Sequence, residues 1–473
     1  MTHPMKRLDR VTTQVAEEAV AALASDLAGS VLTPDAPDYD EVRAIWNAMI
    51  DRRPGLIVRC QDTPDVERAL AFAGAHDLLV SVRGAGHNIA GNAVSDGGLM
   101  VDLSPMKEVV VDAGAATVRA QPGVTLGELD AATQAHGLAV PVGINSTTGI
   151  AGLTLGGGFG WLSRKYGLTI DNLLSAEVVT AGGETVTASA EENADLFWGL
   201  RGGGGNFGIV TSFEYRAQRV GPELLCGLVV HPGDAAREVL RHYRTCCASA
   251  PDELTVWCVL RKAPPLPFLD EAWHGKDVLV LAMVYAGDMA AGEVATKEIR
   301  SFGSPIADVV SPGLFAEFQT AFDPLLTPGA RNYWKSHNFL ELSDGLIDTL
   351  LEYSASLPSP QSEIFIAQMG GATSRVPADA TAYLGRDANF VMNVHTRWED
   401  AADDEACIAW ARAFFEKAGT FATGGVYVNF MPDDETERVV QAYGENWERL
   451  QALKAAYDPG NRLRLNQNIE PAS

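Results

Sequence analysis

The chain has 473 residues, with 36 Lys and Arg against 61 Asp and Glu, which gives a net charge of −25 at pH 7. This length is too great for one compact core and predicts two or three lobes. The acidic excess argues against nucleic acid and anionic membrane surfaces as partners, because both attract clustered Lys and Arg.

Three further features bear on where the protein works. Residues 1–20 have no apolar core and carry Glu17 and Glu18, so we expect no secretory signal. The longest strongly apolar run, residues 278–286, is too short to cross a bilayer. The six cysteines lack metal-ligand spacing, which predicts reduced structural thiols in a cytoplasmic protein and no metal site.

Short strands alternate with helices in the first half of the chain. Residues 1–50 are interpreted as an N-terminal helical segment. Apolar runs bounded by turn residues predict strands over 55–60, 78–82, 99–103, 108–112, 116–120 and 209–215. Helical periodicity predicts helices over 64–75, 126–136 and 191–200. Residues 175–180 and 184–189 are predicted to pair as a hairpin.

Three glycine clusters interrupt this half of the chain. They read VRGAGHNIAG over residues 82–91, GIAGLTLGGGFG over 149–160 and GGGGNFG over 202–208. A glycine inside a helix or strand costs about 1 kcal/mol relative to alanine, so three clusters need a reason beyond loop formation. They let the backbone pass close to a large, flat, phosphate-bearing ligand, with His87 beside it. The alternative is that His87 is an ordinary half-buried side chain.

The pattern changes after residue 218. Strand-like runs over 255–260 and 278–285 lie among helices predicted over 234–248, 289–301, 345–356 and 403–418. This arrangement predicts an α+β lobe in which helices cover an antiparallel sheet. A last helix is predicted over 435–457, ended by Asp458-Pro459-Gly460-Asn461.

Four segments occur together and in a fixed order. They are RGAGHN, GIAGLTLGGGFG, DLFWGLRGGGGNFGIVTSFEY over 195–215 and YDPGNRLRLNQNI over 457–469. With this set, the chain resembles the berberine-bridge-enzyme-like branch of the vanillyl-alcohol-oxidase/PCMH-type FAD-linked oxidases. Within that branch, its overall pattern is similar to that of the bacterial 6-hydroxy-D-nicotine oxidases. The resemblance spans residues 57–469 and implies a bacterial cytoplasmic flavoprotein.

The resemblance implies a fold and a cofactor. A PCMH-type, two-subdomain FAD-binding domain would span 51–218, a substrate-binding lobe 219–430, and a C-terminal helix and tail, 431–473, would return to the FAD domain. His87 would be bonded through a ring nitrogen to the 8α-methyl of FAD, which raises the flavin potential and fixes the ring against the substrate. The other implied FAD-binding residues are Arg83, Gly84, Ala85, Gly86, Asn88, Gly149, Gly152, Gly156, Gly157, Gly158, Ile209, Asn466 and Asn468.

Some relatives carry a second link to the flavin through a cysteine that lies four residues before the GxxG segment. Asn145 stands at that position here. Because asparagine cannot form a thioether, we predict a single covalent bond, through His87. A single link goes with a narrower pocket than that of the doubly linked, oligosaccharide-oxidising members.

Oxidation by a flavin needs hydride transfer to N5 and removal of a proton from the adjoining O–H or N–H, so a base or polarising group must stand opposite the ring. Tyr427-Val428-Asn429-Phe430 resembles the family's YxN stretch. Tyr427 is a candidate base if a neighbouring cation or the flavin lowers its pKa; the alternative is a core tyrosine with a satisfied hydroxyl.

Two other residues are candidates for this chemistry. With strand alternation, Glu363 shares a face with Gln361 and Phe365, so it is either a base facing the flavin or a solvent-facing carboxylate. Lys335 is either a cation that lowers the pKa of a nearby tyrosine or carboxylate, or a solvated charge. His337 and His395 lie among apolar and aromatic residues and are interpreted as structural.

We therefore predict an FAD-dependent oxidoreductase that oxidises a small alcohol, phenol or amine, such as a secondary metabolite, an N-heterocycle or a sugar-like compound. Dioxygen is the expected acceptor, and the substrate and the oligomeric state are left open. Two alternatives remain at this point: a flavin dehydrogenase that uses another acceptor, and a catalytically inactive flavin- or ligand-binding homologue.

Overall fold

The first fifty residues contain a β-hairpin, so the interpretation of this segment as helical is wrong in part. The structure is a computed structural model that describes residues 1–472. Each hairpin strand buries only one large apolar side chain, Met5 or Val15, which is too little to give a recognisable alternating pattern. The elements of this segment are β1 (Thr2–Lys6), β2 (Thr12–Ala16), α1 (Glu17–Asp26), β3 (Ser30–Leu32) and α2 (Tyr39–Arg43).

A four-stranded sheet forms the first subdomain. With β3, it contains β4 (Leu56–Arg59), β5 (Val80–Arg83) and β6 (Leu99–Asp102), in the order β3-β4-β6-β5. Strands β4 and β5 both run parallel to β6. Helix α3 (Thr63–Ala75) packs on the sheet and begins after Asp62, whose carboxylate accepts a hydrogen bond from the N–H of Asp65. Strand β5 leads directly into the glycine loop that carries His87.

A five-stranded antiparallel sheet forms the second subdomain, in the order β11-β10-β12-β8-β7. The hairpin predicted over 175–189 is confirmed as β10 and β11. The strands of this region, including the short pair β9 and β13, are β7 (Val109–Asp112), β8 (Thr117–Ala120), β9 (Leu138–Ala139), β10 (Leu173–Thr180), β11 (Thr185–Ser189), β12 (Gly208–Arg216) and β13 (Gln218–Arg219). The helices are α4 (Leu126–Gln134), α5 (Ile150–Leu155), α6 (Ser163–Tyr166) and α7 (Ala194–Leu200).

An eight-stranded antiparallel sheet dominates the second half, in the order β17-β14-β16-β15-β20-β21-β19, with β18 paired to β14. The strands are β14 (Glu223–Pro232), β15 (Leu254–Lys262), β16 (Asp277–Tyr285), β17 (Ala307–Asp308), β18 (Ser311–Leu314), β19 (Arg331–Phe339), β20 (Glu363–Gln368) and β21 (Phe390–Trp398). The helices are α8 (Ala236–Ser249), α9 (Met289–Arg300), α10 (Phe315–Gln319), α11 (Asp344–Ser354), α12 (Ala372–Arg375) and α13 (Asp404–Gly419). The predicted α+β class, with helices over an antiparallel sheet, is confirmed.

Side chains of this sheet alternate between two environments. Ile364 and Met392 pack in the core beneath the covering helices. Phe365 and Val391 pack toward the first half of the chain. Strand β21 is buried along its whole length, although the polar residues Asn393, His395 and Arg397 alternate with more apolar neighbours in its sequence FVMNVHTRW. This alternation decides which side chains reach the site.

The C-terminal helix is broken, whereas the sequence predicts one helix over 435–457. Gly444 has φ +42°, a conformation that favours glycine, and it separates α14 (Val439–Tyr443) from α15 (Trp447–Tyr457). The predicted stop after Tyr457 is confirmed. The tail then contacts the second subdomain, where the N–H of Ile469 donates a hydrogen bond to Asn206 Oδ1. The domain boundaries at residues 50, 218 and 430 stay predictions.

Candidate active site

A cavity of about 350 Å³ lies between the two halves of the chain. Segments of all three glycine clusters line it from the first half. Side chains of β15, β19, β20 and β21 line it from the eight-stranded sheet, and residues 463–467 of the tail complete the wall. The volume and the mixture of apolar and polar lining are those of a cofactor or small-molecule site.

The loop after β5 places His87 on the wall of this cavity. Its Nε2 lies 2.8 Å from Thr147 Oγ1, and its ring stacks on Trp46 with a centroid distance of 4.9 Å. Burial among these walls lowers the pKa of His87 to about 3. The imidazole is therefore neutral near pH 7, and one of its two ring nitrogens carries no hydrogen.

Asn145 holds the threonine that contacts His87. The Thr147 hydroxyl donates a hydrogen bond to Asn145 Oδ1 at 2.8 Å, and the backbone N–H of Thr147 donates to the same oxygen at 3.1 Å. Both donors meet one carbonyl oxygen, which fixes the orientation of the Asn145 amide. Asn145 is thus coupled to His87 through a single hydroxyl group.

Most residues that the sequence assigns to a cofactor line the cavity. They are Gly84, Ala85, Gly86, His87, Asn88, Gly149, Gly152, Gly156, Ile209 and Asn466. Arg83, Gly157, Gly158 and Asn468 do not line it. Strand alternation explains why Arg83 does not line the cavity. Val82 faces the cavity, whereas the Arg83 guanidinium points away from it and donates a hydrogen bond to the carbonyl oxygen of Val42.

Gly158 supports the wall from behind. Its φ is +73°, and a Cβ at this position would lie 2.2 Å from Thr169 Oγ1, so no side chain fits. Its N–H donates a hydrogen bond of 3.1 Å to the hydroxyl of Tyr427. The glycine thereby connects the second glycine cluster to a candidate catalytic residue.

Tyr427 lines the cavity, but the surrounding protein does not lower its pKa. Its hydroxyl oxygen accepts hydrogen bonds from Gly158 and from Asn429 Nδ2, the latter at 2.9 Å. Burial raises the pKa of Tyr427 to about 12, although both hydrogen bonds act to lower it. No neighbouring cation lowers this pKa among the described residues, so the role of Tyr427 as a base depends on the flavin and stays a prediction, beside the alternative of a core tyrosine with a satisfied hydroxyl.

Glu363 faces the cavity, so its interpretation as a solvent-facing carboxylate is wrong. Its Oε2 accepts a hydrogen bond of 2.7 Å from Arg261 Nη1, and its Oε1 lies 3.1 Å from His395 Nδ1. Burial alone would raise the pKa of Glu363, but the charge of Arg261 and the contact with His395 lower it to about 2. Glu363 is ionised near pH 7, and such a weak base is poorly suited to accept a proton itself.

His395 also lines the cavity, which corrects its interpretation as structural. It is directly opposite Glu363 in the pairing of β20 with β21. His337, by contrast, packs on Phe415 beneath helix α13 and contacts the carbonyl oxygen of that residue, as a structural histidine should. The two histidines differ because residues 395 and 337 lie on opposite faces of the sheet.

Lys335 does not line the cavity, so its candidacy for lowering the pKa of a site residue is wrong. Alternation along β19 places Trp334 on the cavity wall and turns Lys335 to the other face. There its Nζ forms a buried ion pair with Glu435 at 2.7 Å. It is a structural cation of the helix-covered side.

Trp46, Trp334 and Asn393 are among the wall residues that sequence reasoning missed. Trp46 lies in the segment between α2 and β4, far in sequence from any glycine cluster. Its neighbour Asn47 donates hydrogen bonds to the carbonyl oxygens of Ile89, at 3.2 Å, and Asn332, at 2.9 Å. No sequence signal marks this segment, because its contacts depend on how the two halves meet.

Two family models match the chain: an FAD binding domain over residues 54–189 and a berberine and berberine-like segment over 426–470. The (R)-6-hydroxynicotine oxidase of Paenarthrobacter nicotinovorans is 30% identical over 457 residues, covering 94% of this chain and 97% of that protein. The FAD-linked oxidoreductase YgaK of Bacillus subtilis is 32% identical, with the same coverage of 94% and 97%.

Solved structures share the fold. The 6-hydroxy-D-nicotine oxidase of Arthrobacter nicotinovorans matches with a TM-score of 0.85 and 27% identity, over 94% of this chain and 99% of that one. A chitooligosaccharide oxidase matches with a TM-score of 0.83 and 22% identity, over 96% and 100%. This chain belongs to the berberine-bridge-enzyme-like FAD-linked oxidoreductases. The predicted PCMH-type fold and the prediction of an FAD-linked oxidoreductase are both confirmed.

The cavity of this FAD-linked oxidoreductase fits its cofactor. Gly152 and Gly205 both line it, and a Cβ built on either would meet no atom within 4 Å, so the wall is open where a flat ring system must lie close to backbone. Asn466 Oδ1 is buried without a hydrogen-bond partner among residues 1–472 and can accept one from a ligand. In the same residues, no helix is both long and apolar enough to span a bilayer.

Proposed function

We propose that this enzyme carries FAD bonded covalently to His87 and oxidises a ring-bearing hydroxy or amine compound with dioxygen. The observation that carries the proposal is the position of His87: a neutral imidazole, on the wall of a glycine-lined cavity, at the end of β5. When bound, FAD accepts the hydride at N5 and passes its electrons to dioxygen.

The Asn145–Thr147 pair selects the nitrogen that forms the bond. Because the Thr147 hydroxyl donates its hydrogen to Asn145, its oxygen can only accept from His87. Nε2 of His87 then carries the ring hydrogen, and Nδ1 keeps the lone pair that forms the bond to the 8α-carbon. With FAD bound, one C–H bond of the methyl group would break as this bond forms; that hydrogen and the Nε2 hydrogen would leave as protons, and we propose that the two electrons pass to dioxygen, which gives hydrogen peroxide.

A second covalent link is not expected. Asn145 lines the cavity where some relatives carry a cysteine, and its side chain is occupied by the two hydrogen bonds from Thr147. An asparagine amide cannot form a thioether. Here the Asn145 side chain instead determines, through the Thr147 hydroxyl, which ring nitrogen of His87 carries the hydrogen. The single-link prediction therefore stands as part of the proposal.

The shape of the cavity supports a ring-bearing substrate with an apolar part. Beside the main cavity lies a chamber of about 80 Å³, and the two share Trp257, Glu363 and Phe365 as lining residues. The chamber is lined mainly by Leu, Val, Trp and Phe side chains. Sugar hydroxyl groups would lose their hydrogen bonds to water there without replacement, which disfavours an oligosaccharide.

The covalent link is tested on a denaturing gel viewed under ultraviolet light. The parent protein is expected to fluoresce, and His87→Ala is expected to lose all in-gel fluorescence. His136→Ala, which removes an exposed histidine on the loop after α4, is the matched control and should fluoresce like the parent. Asn145→Ala should still fluoresce, because Asn145 forms no bond to the flavin, but it should attach the flavin more slowly than the parent, because the Thr147 hydroxyl is then free to donate to His87. Fluorescence that persists in His87→Ala would contradict the proposal.

The substrate class and the acceptor are tested separately. Under anaerobic conditions, (R)-6-hydroxynicotine, 4-hydroxybenzyl alcohol and cellobiose are mixed with the holoenzyme, and bleaching of the flavin absorbance is recorded. We expect bleaching by (R)-6-hydroxynicotine or 4-hydroxybenzyl alcohol, whose rings are less polar than those of a sugar, and none by cellobiose. Admitting air should restore the colour and release hydrogen peroxide in a one-to-one ratio. Recovery that requires an organic acceptor would identify a dehydrogenase instead.

A bacterial cytoplasmic location remains part of the proposal. Four of the six cysteines are buried, namely Cys60, Cys226, Cys258 and Cys407, and no disulfide joins any of the six in the part of the chain that the structure describes. Free thiols in this number are typical of proteins from a reducing compartment. Fractionation of the native host, with the flavin fluorescence as the marker, tests the location.

A further inference from the structure

Four residues form one row across four neighbouring strands. Arg261 on β15 pairs with Glu363 on β20, Glu363 pairs with His395 on β21, and His395 pairs with Trp334 on β19. Directly opposed residues of an antiparallel pair project on the same face, which here is the cavity face. Glu363, His395 and Trp334 all line the cavity, and Arg261 lines the adjoining chamber.

The contacts in this row fix the hydrogens on His395. Glu363 is ionised and can only accept hydrogen bonds, so Nδ1 of His395 must carry the hydrogen that lies between them. Arg261 holds the other carboxylate oxygen at 2.7 Å and keeps Glu363 from rotating. Nε2 of His395 is then the nitrogen with a free lone pair, as in other sites where a carboxylate orients a catalytic imidazole.

Unpartnered polar atoms gather at this part of the wall. His395 Nε2, Asn393 Oδ1 and Trp334 Nε1 are each buried without a hydrogen-bond partner among residues 1–472. Asn393 lies two residues before His395, on the same face of β21. Buried polar groups are almost always paired in folded proteins, so three unpaired groups on one cavity wall indicate a ligand that supplies the partners.

We propose that His395 accepts the proton of the substrate and that Trp334 and Asn393 bind the same polar group of that substrate. This assignment rests on the proposed function, because FAD must take the hydride. The site would hold a hydroxyl or amine next to the C–H bond that breaks, with the apolar remainder of the molecule in the chamber beside Trp257 and Phe365. Glu363 is a positioning residue in this scheme.

The atoms and electrons of the step balance. For an alcohol, the C–H bond breaks and both electrons leave with the hydrogen as hydride to FAD. The O–H bond breaks, its proton moves to Nε2 of His395, and its electron pair becomes the second C–O bond. The imidazolium is stabilised by the Glu363 carboxylate. Hydride and proton together supply the two hydrogens of hydrogen peroxide when dioxygen is reduced.

Several ionisable groups surround His395. Glu363 contacts it from β20, and Arg261 on β15 and Arg397 on β21 act electrostatically on Glu363. Tyr427 and His87 line the same cavity. Both are neutral near pH 7, since their pKa values are about 12 and about 3. The Glu363 carboxylate is therefore the charge in direct contact with His395.

The position of the ring hydrogen on His395 is measured by ¹⁵N NMR of holoprotein labelled at its histidines. The His395 signal is identified as the one that is lost in His395→Gln. In the neutral imidazole, we expect a protonated Nδ1 and an unprotonated Nε2. In Glu363→Gln, the new amide can donate to Nδ1, so the hydrogen should move to Nε2. A hydrogen on Nε2 in the parent protein would overturn the assignment.

The proton transfer is measured as the limiting rate of anaerobic flavin reduction by whichever of the three test compounds bleaches the flavin. We expect His395→Gln to lower this rate by about 10²- to 10⁴-fold. His337→Gln is the matched control, since His337 is an equally buried histidine on the other face of the sheet, and its rate should equal that of the parent.

Equal rates in His395→Gln and His337→Gln would overturn the role of His395. In-gel fluorescence retained in both variants would show that flavin attachment is intact. Absence of fluorescence in the parent would contradict the proposed function instead. The NMR measurement needs no turnover and would still decide the state of His395 in that case.

Discussion

A buried ion pair ties the C-terminal tail to the second subdomain, and its removal gives a strong test of the fold. Lys454 Nζ lies 2.8 Å from Asp458 Oδ2 and donates to the carbonyl oxygens of Asn206, at 2.8 Å, and Leu463, at 3.0 Å. Lys454 is 0% and Asp458 1% exposed. The ammonium thus has three oxygen partners and no contact with solvent.

Substitution of Lys454 by methionine keeps the length of the side chain and removes the charge. Burial lowers the pKa of Lys454, and the charge of Asp458 acts to raise it. The net effect is a lower pKa, so the attraction between the two charges offsets only part of the cost of removing the ammonium from water. Removing one partner leaves Asp458 as an uncompensated buried charge, which costs about 3–5 kcal/mol. The two carbonyl oxygens that lose their donor put the expected value at the upper end of that range.

The double variant Lys454→Met/Asp458→Asn separates the ion pair from packing. An asparagine can still accept, through Oδ1, from one of the two backbone N–H groups that now bind the carboxylate oxygens. We expect the double variant to be more stable than Lys454→Met alone, with a coupling energy of about 2 kcal/mol or more. The free energy of unfolding is measured by urea titration of tryptophan fluorescence. A cost below about 1 kcal/mol for Lys454→Met, or additive costs in the double variant, would refute this reasoning.

Three further predictions follow from the environment of single residues. Burial raises the pKa of Asp130 to about 7, so the parent protein loses stability as pH rises from about 4 to 7. Asp130→Asn has no such loss, so its free energy of unfolding, measured by urea titration, should rise by about 3 kcal/mol relative to that of the parent between pH 5 and pH 8. If both proteins show the same pH dependence, Asp130 is not protonated in the folded state. Gly158→Ala should lose at least about 2 kcal/mol of unfolding free energy, because of its positive φ and its contact with Thr169. The control Gly460→Ala, with no atom within 4 Å of the new Cβ, should change by less than about 0.5 kcal/mol, and similar melting curves for the two would contradict the clash. Tyr427→Phe should lower stability by about 1–3 kcal/mol, because it leaves the buried N–H of Gly158 unpaired, yet lower the rate of flavin reduction by less than about tenfold. A loss of about 10²-fold or more in that rate would restore the tyrosine as the base.

The sequence was informative where a short local pattern decides the structure. Helix α3 begins at its capping aspartate, and the glycine clusters identified the cavity wall, including His87. The alternation of β20 correctly placed Glu363 and Phe365 on one face. These features depend on a few adjacent residues, so one chain suffices to read them.

The remaining errors have a common physical origin in burial and in long-range contacts. Strand β21 is buried on both faces, so the alternation of Asn393, His395 and Arg397 in its sequence could not show which of the two buried faces is that of the cavity. Lys335 and Trp334 are adjacent, and only the register of β19 decides which of them reaches the site. The last predicted helix is interrupted because one residue, Gly444, has a positive φ. The residues around it keep a helical pattern, so the sequence predicts one continuous helix there.

The segment that carries Trp46 and Asn47 limits how the enzyme can admit its substrate. Asn47 is bonded at once to the His87 loop and to β19, and the N–H of Ala48 donates to the carbonyl oxygen of Ala330 at 3.0 Å. A hinge opening of the two halves would break these bonds together. We therefore expect compounds to reach the interior by local displacement of side chains and surface loops, with the two halves moving as a single rigid unit.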